Sequence, residues 1–313
     1  MQNLQFLKLN PGGNPTILVT APQIPVDEHR EIAGTLMHPL HLQSEQTGFI
    51  CLEHAPPRLD MMGQEFCLNA ARCLALVMAQ ANRFLPLDGQ DDFFGLISCS
   101  GCSQPLQARV KNGNKLSRRG KLAPATPLEC FVNLAYRPGD FSLQQTAPGV
   151  MLVRLPGICH LLLDENILPA PENTVAAAAG WRSRMNLDKE NACGVVWHRQ
   201  EQSSVYRITP VVYVAATGSS VAESACGSGT LALALALESV QNTTPAKGRN
   251  LEIAVLQPSG EALYARLARR HETAAPGTAP AAHESFACTV EIGGQVRLCA
   301  KGEAYIQNDG STL

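Results

Sequence analysis

The sequence predicts an α+β fold in two halves, with one buried helix wrapped by a sheet in each half. Three observations carry this prediction: a short segment occurs twice, each copy leads into an apolar helical run, and most of the remaining chain favours strands. The two copies align on Cys67 and Cys226, which lie about half the chain length apart. That spacing is typical of a duplicated domain.

The helical runs that follow the two cysteines are Cys73–Ala79 and Leu231–Leu237. Both are rich in strong helix formers and apolar on nearly every face, so we expect each helix to be buried on all sides. Asn69 and Ser228 are the predicted N-caps, because their side chains can accept hydrogen bonds from free backbone N–H groups. Each cysteine would then lie at the N-terminus of a helix.

The other elements are predicted to be short strands joined by turns. The β-favouring runs are Phe49–Glu53, Phe93–Ser98, Val150–Leu155, Gly194–His198, Val211–Ala215, Leu251–Leu256 and Cys288–Ile292. The expected turns lie at Gly101, Asn112-Gly113, Pro258–Gly260 and Gly293-Gly294. The low-complexity stretch Ala274–Ala282 is expected to be a surface loop.

Composition excludes several classes of function. A 45% hydrophobic content excludes a disordered chain, and Lys+Arg 25 against Asp+Glu 27 provides no basic field for nucleic acid. No run approaches the roughly 18 apolar residues of a membrane span, and the N-terminal stretch has no secretory pattern. We therefore expect a cytoplasmic protein with a small-molecule partner and with neither nucleic-acid nor membrane partners. Its eleven cysteines, an odd number, are expected to be mostly free thiols.

A cysteine at a helix N-terminus has chemistry available to it. The free N–H groups and the positive end of the helix dipole are expected to lower the thiol pKa of Cys67 and Cys226, and the same N–H groups can bind a carboxylate. Racemisation of an amino acid needs one base and one acid on opposite faces of the α-carbon. One ionised and one protonated thiol meet that need. The alternative is that each cysteine is only a small buried hydrophobe, which a matched pair disfavours.

Three segments resemble the diaminopimelate epimerase superfamily. ACGSG at 225–229 is similar to the family's ACGTG-like signature, and FCLNAAR at 66–72 matches its CGNGxR signature at Cys67, Asn69 and Arg72. Leu68 and Ala70 stand where that signature has glycines. The N-terminal FLKLNPGGN at 6–14 is similar to the family's F-K-M-x-G-x-G-N, and Gln46 lies where the family keeps a glutamine near the substrate.

The resemblance implies two pseudo-symmetric halves, each with a central helix wrapped by a curled mixed sheet. The implied domains are 1–130, completed by 300–313, and 131–299. Cys67 and Cys226 would be catalytic, with no metal and no cofactor, and a homodimer is expected. The implied substrate-binding residues are Asn14, Gln46, Leu68, Asn69, Gly227 and Ser228.

The groups that would hold a second carboxylate of diaminopimelate differ from the family pattern. Thr217-Gly218 replaces a Glu-Arg pair, and Ile158–His160 replaces an Asn-Pro-His triplet. Removing an arginine that pairs with a buried carboxylate leaves that charge uncompensated, which costs about 3–5 kcal/mol. The resemblance then points to racemases of ordinary amino acids, with histidine first, since histidine racemases supply D-histidine for opine-type metallophores. Diaminopimelate epimerase and a thiol-based redox or metal-binding protein are the alternatives.

Several other residues carry weaker predictions. Cys99 and Cys102 form a lone CxxC, which we interpret as a turn pair rather than a zinc site, because no second ligand pair accompanies it. His160 is predicted to lie in the core or to support the site through a hydrogen bond. Glu65 and Glu223 precede the two catalytic cysteines, and each could tune a thiol or cap a helix. A basic cluster, Lys111, Lys115, Arg118, Arg119 and Lys121, is interpreted as a solvated hairpin loop.

Overall fold

The computed structural model describes residues 2–86, 92–111, 127–215, 218–241, 250–269 and 287–306. The chain divides into two compact units. The first unit comprises Met1–Val132 and Gly293–Leu313, and the second comprises Asn133–Ile292. Among the described residues, no helix combines the length and the apolar character that crossing a membrane requires.

The first unit is a mixed sheet with two helices. Its elements are β1 Gln2–Asn10, β2 Thr16–Ala21, α1 His29–Met37, β3 Gln46–Cys51, β4 Arg58–Met61, α2 Leu68–Gln80, β5 Leu85–Pro86, β6 Phe93–Cys99 and β7 Leu106–Lys111, together with parts of β8 Leu128–Tyr136 and β17 Cys288–Ile306. Strand β1 pairs antiparallel with β2 and β17, β2 parallel with β3, and β3 antiparallel with β4. Strand β4 pairs parallel with β6, which pairs antiparallel with β5 and β7.

The second unit is also a mixed sheet with two helices. Its elements are β9 Ser142–Ala147, β10 Val150–Leu155, β11 Ile158–Asp164, α3 Thr174–Arg184, β12 Ala192–Gln202, β13 Val205–Val214, β14 Ser219–Ala222, α4 Gly227–Gln241, β15 Leu251–Leu256 and β16 Ala262–Arg269, with the remaining parts of β8 and β17. Strand β10 pairs antiparallel with β9 and β11, and β11 pairs parallel with β12. Strand β13 pairs antiparallel with β12 and β14 and parallel with β15, which pairs antiparallel with β16.

The predicted α+β class is confirmed, and so are the two apolar helices. The run Cys73–Ala79 lies in α2, and Leu231–Leu237 lies in α4. Helix α2 is buried at nearly every position, and so are the alanines and leucines of α4 from Leu231 to Ala236. Because both helices are apolar on nearly every face, the hydrophobic effect favours burying each helix on all sides rather than along one stripe.

All seven predicted strands are present, in β3, β6, β10, β12, β13, β15 and β17, but β3 ends at Cys51 and β13 at Val214, before the predicted ends Glu53 and Ala215. The turns at Gly101 and Gly260 are confirmed by positive φ angles of 70° and 84°. The turn predicted at Gly293-Gly294 is wrong, because both glycines lie inside β17. The ring of Phe131 occupies the space that a Cβ on Gly293 would need, so the glycine admits an aromatic ring rather than a turn.

Three predictions fall outside the described residues. They are the Asn112-Gly113 turn, the loop at 274–282 and, apart from Lys111, the basic cluster.

The contact between Gly293 and Phe131 predicts a cost for any larger side chain in β17. Gly293→Ala is expected to lower the free energy of unfolding by about 1–3 kcal/mol, because the new methyl group overlaps the ring. Urea denaturation measures this change. Gly34→Ala in α1 is the control, since nothing lies within 4 Å of its Cβ position and alanine favours a helix. A wild-type urea midpoint for Gly293→Ala would contradict the packing described.

His160 is a fully buried histidine in the second unit, as the core interpretation of the sequence predicts. It lies on β11 directly opposite Gly194 of β12, and a Cβ on Gly194 would overlap its imidazole. Neither ring nitrogen has a hydrogen-bond partner among the described residues. Desolvation lowers the pKa of His160 to about 3, so the folded protein holds the ring neutral.

His160 is therefore expected to make the fold sensitive to acid. Its pKa is about 3 in the folded state against 6.5 in an unfolded chain, so between these values the unfolded state binds the additional proton. Stability should fall by about 1.4 kcal/mol per pH unit as pH drops through that window. Urea unfolding at several pH values, compared between wild type and His160→Leu, measures this. The same pH slope in both proteins would show that His160 does not carry the effect.

Candidate active site

Cys67 is the N-cap of α2. Its backbone is extended, with φ −123° and ψ 111°, and the helix begins at Leu68. The Ala70 N–H donates to Cys67 Sγ at 3.3 Å. The prediction that Asn69 is the cap is wrong, because the thiol reaches the N–H of the third helical residue itself and moves the cap two residues earlier. Asn69 lies in the first turn, where its Oδ1 accepts from Arg72 Nη2 at 2.8 Å.

Cys226 has the same place at the start of α4. The helix begins at Gly227, and the Gly229 N–H donates to Cys226 Sγ at 3.3 Å. The prediction that Ser228 is the cap is wrong for the same reason, and its hydroxyl lies 3.6 Å from Cys226 Sγ. The prediction that each cysteine lies at a helix N-terminus is confirmed.

The first backbone N–H groups of an α-helix point toward its N-terminal end, and here each thiol accepts from the third of them. The first two belong to Leu68 and Asn69 in α2, and to Gly227 and Ser228 in α4. The positive end of the helix dipole adds to their attraction for an anion. Each helix start therefore has the chemistry of a carboxylate-binding group.

Gln46 contacts Cys67 in the first unit, and Asn14 bonds to the residue that precedes Gln46. The Cys67 thiol donates to Gln46 Oε1, with 2.7 Å between sulfur and oxygen. Gln46 is the first residue of β3. Asn14 Nδ2 donates to Glu45 Oε2 at 2.8 Å, and the Glu45 N–H donates to Pro15 O at 2.8 Å. These bonds join the segment after β1 to the start of β3, whose first residue, Gln46, contacts Cys67.

Arg72 is fully buried in α2 and ties the helix to the loop after β1. Its Nη2 donates to Pro11 O at 2.7 Å and to Asn69 Oδ1 at 2.8 Å. Its Nε and Nη1 have no partner among the residues that the structure describes. Burial lowers the pKa of Arg72, and the nearby Cys73, Cys130 and Cys67 oppose that effect. The guanidinium is a buried cation beside thiols, which favours a negative charge near it.

Cys226 lies in a different electrostatic environment. It is only 1% exposed, and burial raises its thiol pKa well above the usual value. The Glu223 carboxylate, which accepts a hydrogen bond from the thiol, raises it further, while Ser228 and the Gly229 N–H act in the opposite direction. The expectation that the helix N-terminus lowers this pKa is wrong for Cys226, because burial and a neighbouring negative charge outweigh the helix. Of the two glutamates weighed from sequence, Glu223 contacts a thiol and Glu65 is exposed.

Sequence reasoning missed two buried residues that support these helix starts. Ser100 follows β6, and its hydroxyl donates to Glu65 O at 2.8 Å. Gln257 follows β15, and its Oε1 accepts from the Cys226 N–H at 2.8 Å. Each is a polar residue between an apolar strand and a turn, a position that in sequence looks solvated. No local pattern marks either residue.

Within the described ranges, no group of three His, Cys, Asp or Glu side chains is arranged to hold a metal ion. Cys99 and Cys102 lie in a turn, where the Cys102 N–H donates to Cys99 O at 3.2 Å and Gly101 has a positive φ. The interpretation of this CxxC as a turn pair is confirmed.

A family model described as the histidine racemase CntK N-terminal domain matches residues 3–305. The chain belongs to the histidine racemase family. A histidine racemase of Fusobacterium nucleatum subsp. nucleatum is 32% identical over 265 residues, which are 83% of this chain and 88% of the relative. A histidine racemase of Staphylococcus aureus is 24% identical over 314 residues, covering 98% of this chain and 99% of the relative.

Solved structures share the fold of this histidine racemase family member. A hydroxyproline epimerase from Agrobacterium vitis, with bound trans-4-hydroxy-L-proline, has a TM-score of 0.63 at 10% identity and covers 97% of this chain and 91% of its own. Methylitaconate-delta-isomerase has a TM-score of 0.55 at 10% identity, covering 99% of each chain. The resemblance to the pyridoxal-independent racemases and epimerases is confirmed, and the protein is an isomerase, as predicted.

The contact between Glu223 and Cys226 predicts a change in thiol ionisation. Glu223→Gln is expected to lower the thiol pKa of Cys226, because the substitution removes a negative charge beside the sulfur. Alkylation by iodoacetamide over a pH series, followed by mass spectrometry of the Cys226 peptide, measures it. Glu252→Gln, on an exposed position of β15, is the control. An alkylation profile for Glu223→Gln that matches wild type would contradict the assignment.

Proposed function

We propose that this protein racemises histidine at its α-carbon, with Cys67 and Cys226 as the two acid–base groups. The observation that carries the proposal is that two buried helices each begin directly after a cysteine whose thiol caps the helix. Membership of the histidine racemase family supports histidine as the substrate.

The proposed reaction is a proton transfer in two directions. One thiolate removes the α-proton, and the other thiol delivers a proton to the opposite face; for the other enantiomer the roles reverse. The carbanion that forms is stabilised by delocalisation into the substrate carboxylate. Hydrogen-bond donors fixed before the reaction begins stabilise this developing charge without reorganising. The chemistry requires no cofactor and no metal.

The carboxylate donors are proposed to be the first-turn N–H groups of Leu68, Asn69, Gly227 and Ser228. They belong to helix starts whose dipoles favour an anion. Asn14 and Gln46 complete the substrate-binding set on the side of the first unit. Gln46 has a direct role in this scheme, since its amide meets the Cys67 thiol at 2.7 Å.

The two units are proposed to be pseudo-symmetric halves, each a mixed sheet curled around its central helix. In the first unit, successive pairings from β1 to β7 are antiparallel, parallel across α1, antiparallel, parallel across α2 and antiparallel. The second unit runs from β10 to β16 in the same order, across α3 and α4. This correspondence supports the proposal. The domain bounds predicted from sequence, 1–130 with 300–313 and 131–299, are part of the same proposal.

Histidine is preferred over diaminopimelate on two grounds. The curated relatives are histidine racemases. The sequence also has Thr217-Gly218 in place of the Glu-Arg pair that would hold a second carboxylate. The product, D-histidine, is proposed to enter an opine-type metallophore, and the enzyme is proposed to act as a homodimer in the cytoplasm.

The test is proton exchange at the α-carbon. L-Histidine incubated with the enzyme in D2O is expected to give α-deuterated D-histidine, followed by chiral chromatography and mass spectrometry. Cys67→Ser and Cys226→Ser should each lower the rate by about 10²–10⁴-fold, the range of general acid–base catalysis. Cys299→Ser is the matched control, because that thiol is exposed. Wild-type turnover in either active-site variant would refute the two-cysteine mechanism.

A panel of amino acids decides the substrate. Histidine is expected to be racemised faster than other single-carboxylate amino acids and than diaminopimelate. Turnover of diaminopimelate with none of histidine would overturn the substrate assignment and leave the mechanism intact. Stoichiometric zinc or copper in the purified protein, without racemisation of any amino acid, would instead favour the thiol-based metal-binding alternative.

A further inference from the structure

Gln257 is a buried side chain whose polar atoms are bonded on both sides of Cys226. It follows β15 and is 0% exposed. Its Oε1 accepts from the Cys226 N–H at 2.8 Å. Its Nε2 donates to Thr230 Oγ1 at 3.2 Å and to Val255 O at 3.0 Å. One amide group thus joins the end of a strand to the start of α4.

Thr230 closes this arrangement into a ring. Its hydroxyl donates to Cys226 O at 2.9 Å, and its N–H donates to the same oxygen at 3.1 Å. The ring therefore runs from the Cys226 N–H through Gln257 and Thr230 back to the Cys226 carbonyl. Both peptide groups that flank Cys226 are held by it, and all three residues are buried.

The ring of hydrogen bonds fixes the directions of two bonds. The first is the Cα–Cβ bond of Cys226, which is set by the two flanking peptide planes. The second is the N–H of Gly227, because that group shares a rigid planar peptide with the Cys226 carbonyl. The ring thus aims both the thiol and one of the N–H groups assigned to the substrate carboxylate. In catalysis, a misplacement of about 1 Å costs about 100-fold in rate.

An apolar residue would fill the same space without the cost of burying an amide. Only the amide supplies both the acceptor for the Cys226 N–H and the donor to Thr230. The first unit offers a parallel: Ser100 directly follows β6, donates to Glu65 O at 2.8 Å and accepts from the Met61 N–H at 2.9 Å. In both units, a buried polar side chain at the end of a strand holds the segment that leads into a helix.

We propose that Gln257 is a positioning residue for the reaction, acting with Thr230 to fix the direction of the Cys226 thiol and of the Gly227 N–H. This inference rests on the proposed function, in which Cys226 is one of the two acid–base groups. Gln257 bonds to the backbone of Cys226 and not to its thiol, so it acts through Cys226.

Graded substitutions test the ring. Gln257→Leu removes both arms, and kcat/KM for histidine is expected to fall by about 10- to 100-fold. Gln257→Glu keeps an acceptor for the Cys226 N–H and, because burial favours the protonated carboxyl, an O–H donor toward Thr230, so a smaller loss is expected. Thr230→Val opens the ring at its other side. The double variant Gln257→Leu/Thr230→Val should lose little more than the worse single variant, because both break one unit.

A second readout separates positioning from general stability. Iodoacetamide alkylation in the absence of substrate, resolved by peptide mass spectrometry, should become faster at Cys226 in Gln257→Leu and stay unchanged at Cys67. Ile253→Val is the control, because Ile253 is buried in β15, the strand that Gln257 follows, and its hydrocarbon side chain cannot hydrogen-bond to Cys226. It should lower the thermal midpoint with kcat/KM and the alkylation of both thiols unchanged.

Two results would overturn the proposal. One is a folded Gln257→Leu with wild-type kcat/KM and wild-type alkylation of Cys226. The other is a loss of activity that follows unfolding, with Cys67 and Cys226 alkylated faster to the same degree. If wild type fails to racemise histidine, or Cys226→Ser is fully active, the proposed function fails instead, and the alkylation arm still decides whether Gln257 holds Cys226.

Discussion

The structure depends on a thiol that caps a buried helix. Cys67 and Cys226 each accept the N–H of the third helical residue, at the end of the helix where the backbone N–H groups and the positive end of the helix dipole lie. Because α2 and α4 are apolar on all faces and enclosed by strands, these starts cannot shift without exposing the core. The packing of the helices therefore fixes the position of the sulfur and of the anion-binding N–H donors together.

Polar residues in the core complete that fixation. Arg72 extends from α2 to Pro11, and Gln257 extends from β15 to Cys226. An unsatisfied polar group in the interior costs about 1–3 kcal/mol, so the hydrogen bonds that these two side chains make offset part of the cost of burying them. Each has at least one partner in the first turn of its helix or at the capping cysteine: Asn69 for Arg72, and Cys226 and Thr230 for Gln257. The core of each unit therefore specifies position at the site as well as stability.

The two thiols differ in the partners that they meet. Gln46 presents an amide to Cys67, and an amide can accept from a thiol or, turned over, donate to a thiolate. Glu223 presents a carboxylate to Cys226, and an ionised carboxylate can only accept. The first partner suits both protonation states of a sulfur, whereas the second suits the protonated state. This difference between the two partners suits a reaction that begins with one thiolate and one thiol.

The sequence by itself determined that two cysteines precede two buried helices and where seven strands lie, because helix propensity, apolar runs and β-favouring runs are local properties. It did not predict α1 and α3, which are short helices with few buried apolar residues. The tertiary structure alone decided the thiol caps, the burial of Gly293 under Phe131 and the bond from Gln257 to a residue 31 positions away. The last two of these features arise when distant segments meet and water is excluded, and no neighbouring pattern along the chain encodes such a meeting.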